Sequence, residues 1–211
     1  MIGLFGGTFD PVHHGHLRAA LDVFEALELD ELRFIPLGRA VHREQPGASD
    51  AQRLAMLQAA IRDQPGFCVD ERELIRDTPS YTVLTLYSLR QELGARLPLC
   101  LLLGRDAFNG FTRWREPERI LQMAHLVVME RPGAAAPTDP ELQAVLDARQ
   151  VHDPNCLRQQ PGGSILLQPV TPLAISSSDI RKRLSQGRSV RYLLPEAVRK
   201  LLESPFSNIA S

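Results

Sequence analysis

Short apolar runs alternate with amphipathic stretches along most of the chain. The apolar runs end at Gly, Pro or polar turn residues, which predicts buried strands, and the amphipathic stretches have the three- and four-residue apolar spacing of helices. The predicted strands are Ile2–Phe5, Leu32–Leu37, Phe67–Val69, Leu97–Leu103, His125–Glu130 and Ile165–Leu167. The predicted helices are His16–Leu29, the stretch capped by Ser49 through Ile61, Tyr81–Leu93, Glu116–Gln122, the stretch from the serines at 176–178 to Leu184, and Pro195–Leu202.

This alternation predicts the α/β class: an open parallel sheet with helices on both faces. Leu97–Leu103 is the most apolar run and is expected at the centre of the sheet, buried on both sides. Residues 131–140 and 150–163 are interpreted as surface connections. We find no internal repeat and no second-domain boundary, so residues 1–211 are expected to form one domain with a helical C-terminal portion from about 176.

The charge balance argues against a nucleic-acid or membrane partner. The chain has 24 Lys+Arg and 25 Asp+Glu, for a formal net charge of -1, so it has no long-range attraction to polyanions. No stretch approaches the roughly 20 apolar residues of a membrane span, and a secretory signal is not recognisable at the N-terminus. Cys68 and Cys100 lie in strand-like settings and are expected to be buried free thiols. These features favour a cytoplasmic location.

The first predicted strand runs into a loop that contains Gly6, Gly7 and three histidines, His13, His14 and His16. Ligands of open α/β sheets bind beyond the carboxyl ends of strands, and the N-terminus of a following helix attracts phosphate. The loop matches neither the P-loop nor the G-x-G-x-x-G pattern. Ordinary loop histidines or a zinc site are the alternatives, although no Cys or carboxylate at suitable spacing completes a zinc site. His14 is left unassigned.

A second polar motif, Ile175–Arg181, lies near the other end of the chain. Its three serines can cap a helix and form an anion site with the helix N–H groups, and Arg181 can reach back over the same end. Taken alone, the motif is better explained as a polar helix cap with a solvated arginine than as an anion site.

Together, Thr8–His16 and Ile175–Arg181 resemble the H-x-G-H and I-S-S-T-x-I-R signatures of nucleotidylyltransferases, whose fold is a Rossmann-like parallel sheet. The opening G-G-T-F-D-P-V-H, the segments Arg53–Leu57, Pro79–Thr82 and Leu103–Asp106, and Trp114 make the chain similar to the bacterial nicotinate-nucleotide adenylyltransferase family. Arg131-Pro132 and Tyr192–Pro195 extend the resemblance to nearly the whole chain. Two departures affect the substrate pocket: Arg43 stands where the family usually has Lys, and Leu84 where it usually has an acid.

The resemblance implies that ATP lies across the end of the first strand. Its implied ATP contacts are Gly7, Thr8, Phe9, Gly104, Asp106, Ile175, Ser177 and Ser178. The implied catalytic residues, which hold the phosphates, are His13, His16 and Arg181. Mg²⁺ is expected to accompany ATP, with few protein ligands.

The mononucleotide is expected in a neighbouring pocket. Trp114, the only tryptophan, offers a flat face to a pyridine ring, unless it is a core aromatic. The other implied contacts are His42, Arg43, Tyr81, Thr85 and Arg131. In the implied reaction the phosphate of nicotinate mononucleotide attacks the α-phosphorus of ATP directly, so that no protein nucleophile is needed.

Other functions stay open at this point. The acceptor could be nicotinamide mononucleotide or pantetheine phosphate, and a non-catalytic nucleotide sensor could share the fold. A fragment of a class I aminoacyl-tRNA synthetase would need a K-M-S-K-S type loop, which we do not find. The oligomeric state and any lid motion of residues 38–47 cannot be inferred from the sequence.

Overall fold

The computed structural model describes residues 1–39, 46–130 and 138–203. Seven strands form one sheet in the order β3-β2-β1-β4-β5-β7-β6, and every pairing is parallel. The strands are β1 (Ile2–Gly7), β2 (Glu31–Pro36), β3 (Phe67–Val69), β4 (Leu99–Gly104), β5 (His125–Glu130), β6 (Gln150–Val151) and β7 (Ile165–Pro169). The predicted α/β class and parallel sheet are confirmed.

The eight α-helices of the described residues connect and cover these strands. They are α1 (His14–Ala26), α2 (Asp50–Ile61), α3 (Thr82–Leu93), α4 (Arg105–Asn109), α5 (Pro117–Met123), α6 (Pro140–Arg149), α7 (Ser177–Ser185) and α8 (Glu196–Glu203). Short 3-10 turns occupy Phe111–Arg113 and Pro154–Arg158.

Two apolar clusters lie on opposite faces of the sheet. In β4, Cys100 and Leu102 join the cluster beneath α1, α2 and α8, whereas Leu99, Leu101 and Leu103 join the cluster beneath α3, α5 and α6. This alternation follows from the period of two in a strand, and it buries the central strand on both sides. Helices therefore cover both faces, as predicted.

Several element bounds differ from the predicted ones. Helix α1 starts at His14 and ends at Ala26, because His13 adopts extended backbone angles as its N-cap and Glu28 has a φ of 48° beyond its end. Helix α6 was missed, although Asp139 caps it and Pro140 occupies its first turn. The stretch 150–163, predicted to be irregular, contains β6 and a 3-10 turn.

The two cysteines that were expected to be buried differ in exposure. Cys100 is buried as expected, but Cys68 is only half-buried, and its thiol donates to Glu31 Oε1 over 3.1 Å. None of the described helices has both the length and the apolar character that a membrane crossing requires.

Candidate active site

The order in which the chain adds strands to the sheet reverses between β1 and β4. The chain continues from β1 to β2 and β3 on one side and from β4 to β5 on the other, which is the switch point where open α/β sheets bind ligands. A cavity of about 290 Å³ opens there. Its walls come from the ends of β1, β2 and β4 and from the segments 73–82 and 113–115. The lining residues include Gly6, Gly7, Thr8, Leu37, Glu73, Ser80, Tyr81, Gly104, Arg113, Trp114 and Arg115.

His13 and His16 stack against each other beside the loop that follows β1. Their ring centroids are 3.7 Å apart and the planes are 24° from parallel. Burial and the neighbouring His14 lower the pKa of His13 to about 4, and burial and the neighbouring His13 lower the pKa of His16 to about 3. Both Nδ1 atoms are buried without a hydrogen-bond partner among the described residues.

The buried Phe9 ring packs against His16. Its side chain is 1% exposed, and its ring centroid lies 5.3 Å from that of His16 and 5.6 Å from that of Phe5. A Cβ at Gly7 would come within 2.9 Å of the Phe9 ring, so the packing requires glycine there. The Phe9 ring is a core group, and a contact of Phe9 with nucleotide would have to come from its main chain.

Some of the N–H groups at the N-terminus of α1 already donate hydrogen bonds within the protein. The His14 N–H donates to Leu193 O over 3.0 Å, and the His16 N–H donates to His13 O over 2.9 Å. Within the described part of the chain, the Gly15 N–H has no acceptor. A Cβ at Gly15 would lie 3.0 Å from His13 Nδ1 and 3.4 Å from Ile175 O. Glycine thus lets the two motifs approach each other.

The second motif docks onto the loop after β1. Ser176 is the cap of α7 and accepts from the Asp179 N–H, and half-buried Ile175 packs against the apolar cluster. The Ser177 hydroxyl donates to Pro11 O over 2.9 Å. Arg181 donates to Asp10 O over 2.5 Å and lies 3.4 Å from the exposed Ser178 hydroxyl. Residues more than 160 positions apart therefore form one polar surface.

Gly104 and Asp106 follow the end of β4. Gly104 is the N-cap of α4, and a Cβ there would meet no described atom within 4 Å. Asp106 is exposed in the first turn of this five-residue helix. Gly104 lines the cavity at the switch point, whereas Asp106 is not among the residues of its wall.

Aromatic and cationic side chains form the other side of the cavity. Half-buried Trp114 packs against Phe111 with ring centroids 5.7 Å apart. The Arg115 guanidinium lies over the Tyr81 ring, 4.7 Å from its centroid. The Ser80 hydroxyl is buried and has no partner among the described residues.

Thr85, an expected substrate contact, does not line the cavity. It is 4% exposed, and its hydroxyl donates to Glu73 Oε1 over 2.7 Å and accepts from Arg76 over 3.2 Å. Glu73 stands between Thr85 and the cavity. The remaining expected contacts, His42, Arg43 and Arg131, lie outside the described residues.

Comparison with known proteins agrees with this geometry. Residues 4–183 match the cytidylyltransferase-like family model. A Halorhodospira halophila protein named "Probable nicotinate-nucleotide adenylyltransferase" is 51% identical over 199 residues, which are 94% of this chain and 91% of that protein. A Methylococcus capsulatus protein of the same name is 50% identical over 203 residues, 96% of each chain. The chain belongs to the nicotinate-nucleotide adenylyltransferase family.

A solved structure shares the fold at much lower identity. The Plasmodium falciparum nicotinic acid mononucleotide adenylyltransferase complexed with NaAD superimposes with a TM-score of 0.69 at 16% identity, covering 95% of this chain and 93% of that one. At this identity the likeness supports the fold of the family alone.

The structure adds site residues to which the sequence analysis gave no role, although Asp10, Arg53 and Ser80 lie in segments that carry the family resemblance. Glu73 and Ser80 line the cavity, and Asp10 contacts Arg181. Arg53 is fully buried and donates to Thr8 O over 2.9 Å, to Leu37 O over 2.6 Å and to Asp50 Oδ1 over 2.5 Å. Arginine is normally exposed, so nothing in the sequence pattern indicated that Arg53 lies behind the cavity wall.

Proposed function

We propose that this chain transfers the AMP part of ATP to nicotinate mononucleotide, giving nicotinate adenine dinucleotide and pyrophosphate. One observation carries the proposal: the loop that continues from Gly7 and Thr8 in the cavity wall also bonds, through Pro11 O, to Ser177 at the N-terminus of α7. The nucleotide-facing wall and the anion-binding helix end are thus parts of one surface. The proposal includes a single domain over residues 1–211 and a cytoplasmic location.

The reaction needs positioning more than covalent participation by the protein. A phosphate oxygen of the mononucleotide forms a bond to the α-phosphorus of ATP, and the bond between that phosphorus and the bridging oxygen of the leaving group breaks. Arg181, Ser178 and the two histidines would bind the negative charge of the outgoing pyrophosphate. Mg²⁺ enters as part of the Mg–ATP substrate and is held mainly by phosphate and water. The described residues contain no group of three His, Cys, Asp or Glu suited to a resident metal ion.

The cavity supports nicotinate as the acceptor base. Trp114 offers an aromatic face, and the cations Arg113 and Arg115 line the same space. Positive charge favours a ring carboxylate over a neutral carboxamide. A second candidate is nicotinamide mononucleotide, because Glu73 also lines the cavity and could accept a hydrogen bond from a carboxamide.

The test is pyrophosphate release from Mg–ATP with nicotinate mononucleotide, nicotinamide mononucleotide or phosphopantetheine as acceptor. We expect release with the nicotinate compound and its loss in His16→Ala. Release with phosphopantetheine alone would overturn the acceptor. ATP binding without release for any acceptor would favour a nucleotide sensor and contradict the proposal.

A further inference from the structure

Asp10 is a buried carboxylate beside the surface to which we assign the polyphosphate. The residue is 3% exposed, and its carboxylate accepts the Gly47 N–H over 2.8 Å and the Ala48 N–H over 3.3 Å. Negative charge at this place repels phosphate, and the reaction as described gives it no part. Its presence therefore calls for a separate explanation.

Asp10 is also where three distant segments meet. Its main-chain oxygen accepts from Arg181 over 2.5 Å, and its Oδ2 lies 3.5 Å from the same guanidinium. A Cβ on Gly47 would lie 3.6 Å from Asp10 Oδ2 and 3.9 Å from Arg181 Cδ. The loop after β1, the chain entering α2 and the second turn of α7 thus pack together around one side chain.

We infer that Asp10 is a positioning residue that fixes Arg181 for the outgoing pyrophosphate, an inference that rests on the proposed function. The carboxylate anchors the Asp10 peptide unit to the main chain at residues 47 and 48, and that peptide unit holds the guanidinium. Arg181 is a long side chain that is 46% exposed, and ordering it only when the nucleotide arrives would weaken binding. With one N–H on Asp10 O and one near the Ser178 hydroxyl, the remaining guanidinium donors stay available for phosphate.

The charge of Asp10 acts on ATP binding in the opposite direction. Asp10 also offsets part of the charge of Arg181, so its removal could strengthen ATP binding. We expect this effect to be the smaller one, because Arg181 is half-exposed and the ion pair is screened by water. The contacts to Gly47 and Ala48 are better shielded, since the Asp10 side chain is 5% exposed.

The test is a double-mutant cycle on Mg–ATP binding, measured by titration calorimetry and followed by kcat and both KM values. Asp10→Asn keeps one acceptor but places an NH₂ group where the second one stood. We expect Asp10→Asn and Arg181→Met each to weaken ATP binding by about tenfold, the range for losing a charge-assisted contact. The double variant should bind no more weakly than Arg181→Met alone, and the acceptor KM should stay unchanged.

Asp22→Asn is the matched control. This carboxylate also accepts a distant main-chain N–H, that of Thr171 over 2.6 Å, and pairs with Arg18, but it has no contact with Arg181. Its substitution is expected to leave ATP binding unchanged. If Asp10→Asn does not fold, Asp10→Glu in the same cycle tests position at constant charge.

Three results would overturn the inference: additive losses in the cycle, tighter ATP binding by Asp10→Asn, or a loss that higher Mg²⁺ restores, which would make Asp10 a metal ligand. The binding cycle requires no acceptor. A wild-type protein that binds ATP but does not transfer AMP would contradict the proposed function and still leave the Asp10–Arg181 coupling measurable.

Discussion

The imidazole of His13 lies on that of His16, with the ring centroids 3.7 Å apart and both Nδ1 atoms buried. Burial, together with the neighbouring histidines, lowers the pKa of His13 to about 4 and the pKa of His16 to about 3, which keeps both neutral at pH 7. Both Nδ1 atoms lack partners among the described residues. A triphosphate bound beside the rings would favour their protonation, because nearby negative charge raises the pKa of a histidine.

The first prediction is a pH-dependent stability caused by this pair. Because the pKa of each histidine is lower in the folded protein than its ordinary value of 6.5, the unfolded chain binds more protons below about pH 6.5. The free energy of unfolding should therefore fall as the pH drops from about 6.5 towards 4. His16→Asn should flatten this slope by up to about 1.4 kcal/mol per pH unit.

Urea denaturation at several pH values measures that slope. The exposed His152 provides the control, and His152→Asn is expected to keep the wild-type slope. Parallel stability curves for His16→Asn and the wild type would show that burial of His16 does not govern the dependence.

The second prediction concerns Gly15. In Gly15→Ala the new Cβ would stand 3.0 Å from His13 Nδ1 and 3.4 Å from Ile175 O, so His13 must shift. We expect kcat/KM for ATP to fall by about tenfold, since small displacements of positioned groups are costly in catalysis. The melting temperature should change little, because alanine favours helix.

Gly110→Ala is the control for steady-state kinetics, because a Cβ there makes an ordinary contact of 3.5 Å with Arg113. Equal activity of Gly15→Ala and the wild type would mean that the close approach of the two motifs is not needed.

The third prediction concerns Arg53, the buried cation that joins Thr8 O and Leu37 O. Arg53→Met leaves both carbonyl groups without this donor, and we expect a loss of about 2–6 kcal/mol in the free energy of unfolding, about 1–3 kcal/mol for each buried carbonyl left unsatisfied. Arg53→Lys should be intermediate, because one ammonium cannot reproduce the planar fork. Denaturant unfolding measures both.

Arg199 offers a comparison within the same chain, since it pairs with Glu196 and Glu203 on the surface of α8. Arg199→Met is expected to have a small effect. A loss for Arg53→Met no larger than that for Arg199→Met would refute the role given to Arg53.

The fourth prediction assigns Trp114 to the acceptor. Trp114→Ala should raise the KM for nicotinate mononucleotide by about tenfold, the usual effect of losing a ring that stacks on a base, and leave the KM for ATP unchanged. Tyr87→Ala is the control, because Tyr87 is 53% exposed and does not line the cavity. A rise in the KM for ATP instead would place Trp114 beside the adenine.

Local signals in the sequence were enough to predict much of the fold. Ser49 caps α2 as predicted and forms a capping box with Gln52, and the apolar run ending in Leu103 is the buried central strand. These features depend on residues within one or two turns of each other. The five-residue helix α4 was missed because it is too short to show a helical period.

Long-range features could not be predicted in the same way. The orientation of the Thr85 side chain depends on its hydrogen bond to Glu73, a residue outside the helix pattern that predicted the position of Thr85. The burial of Arg53 in α2 depends on two main-chain oxygens, Thr8 O after β1 and Leu37 O after β2. The contact of Arg181 with Asp10 joins residues 171 positions apart. Such contacts follow from the tertiary arrangement and not from local spacing.

The central claim is tested most directly by a competition between equimolar nicotinate and nicotinamide mononucleotides for Mg–ATP labelled at the α-phosphate, with the products identified by mass spectrometry. We predict that the label appears mainly in nicotinate adenine dinucleotide, with unlabelled pyrophosphate, and that His16→Ala forms neither dinucleotide at a comparable rate. Label mainly in the nicotinamide dinucleotide would contradict the acceptor assignment, and label remaining in ATP would contradict the proposed transfer itself.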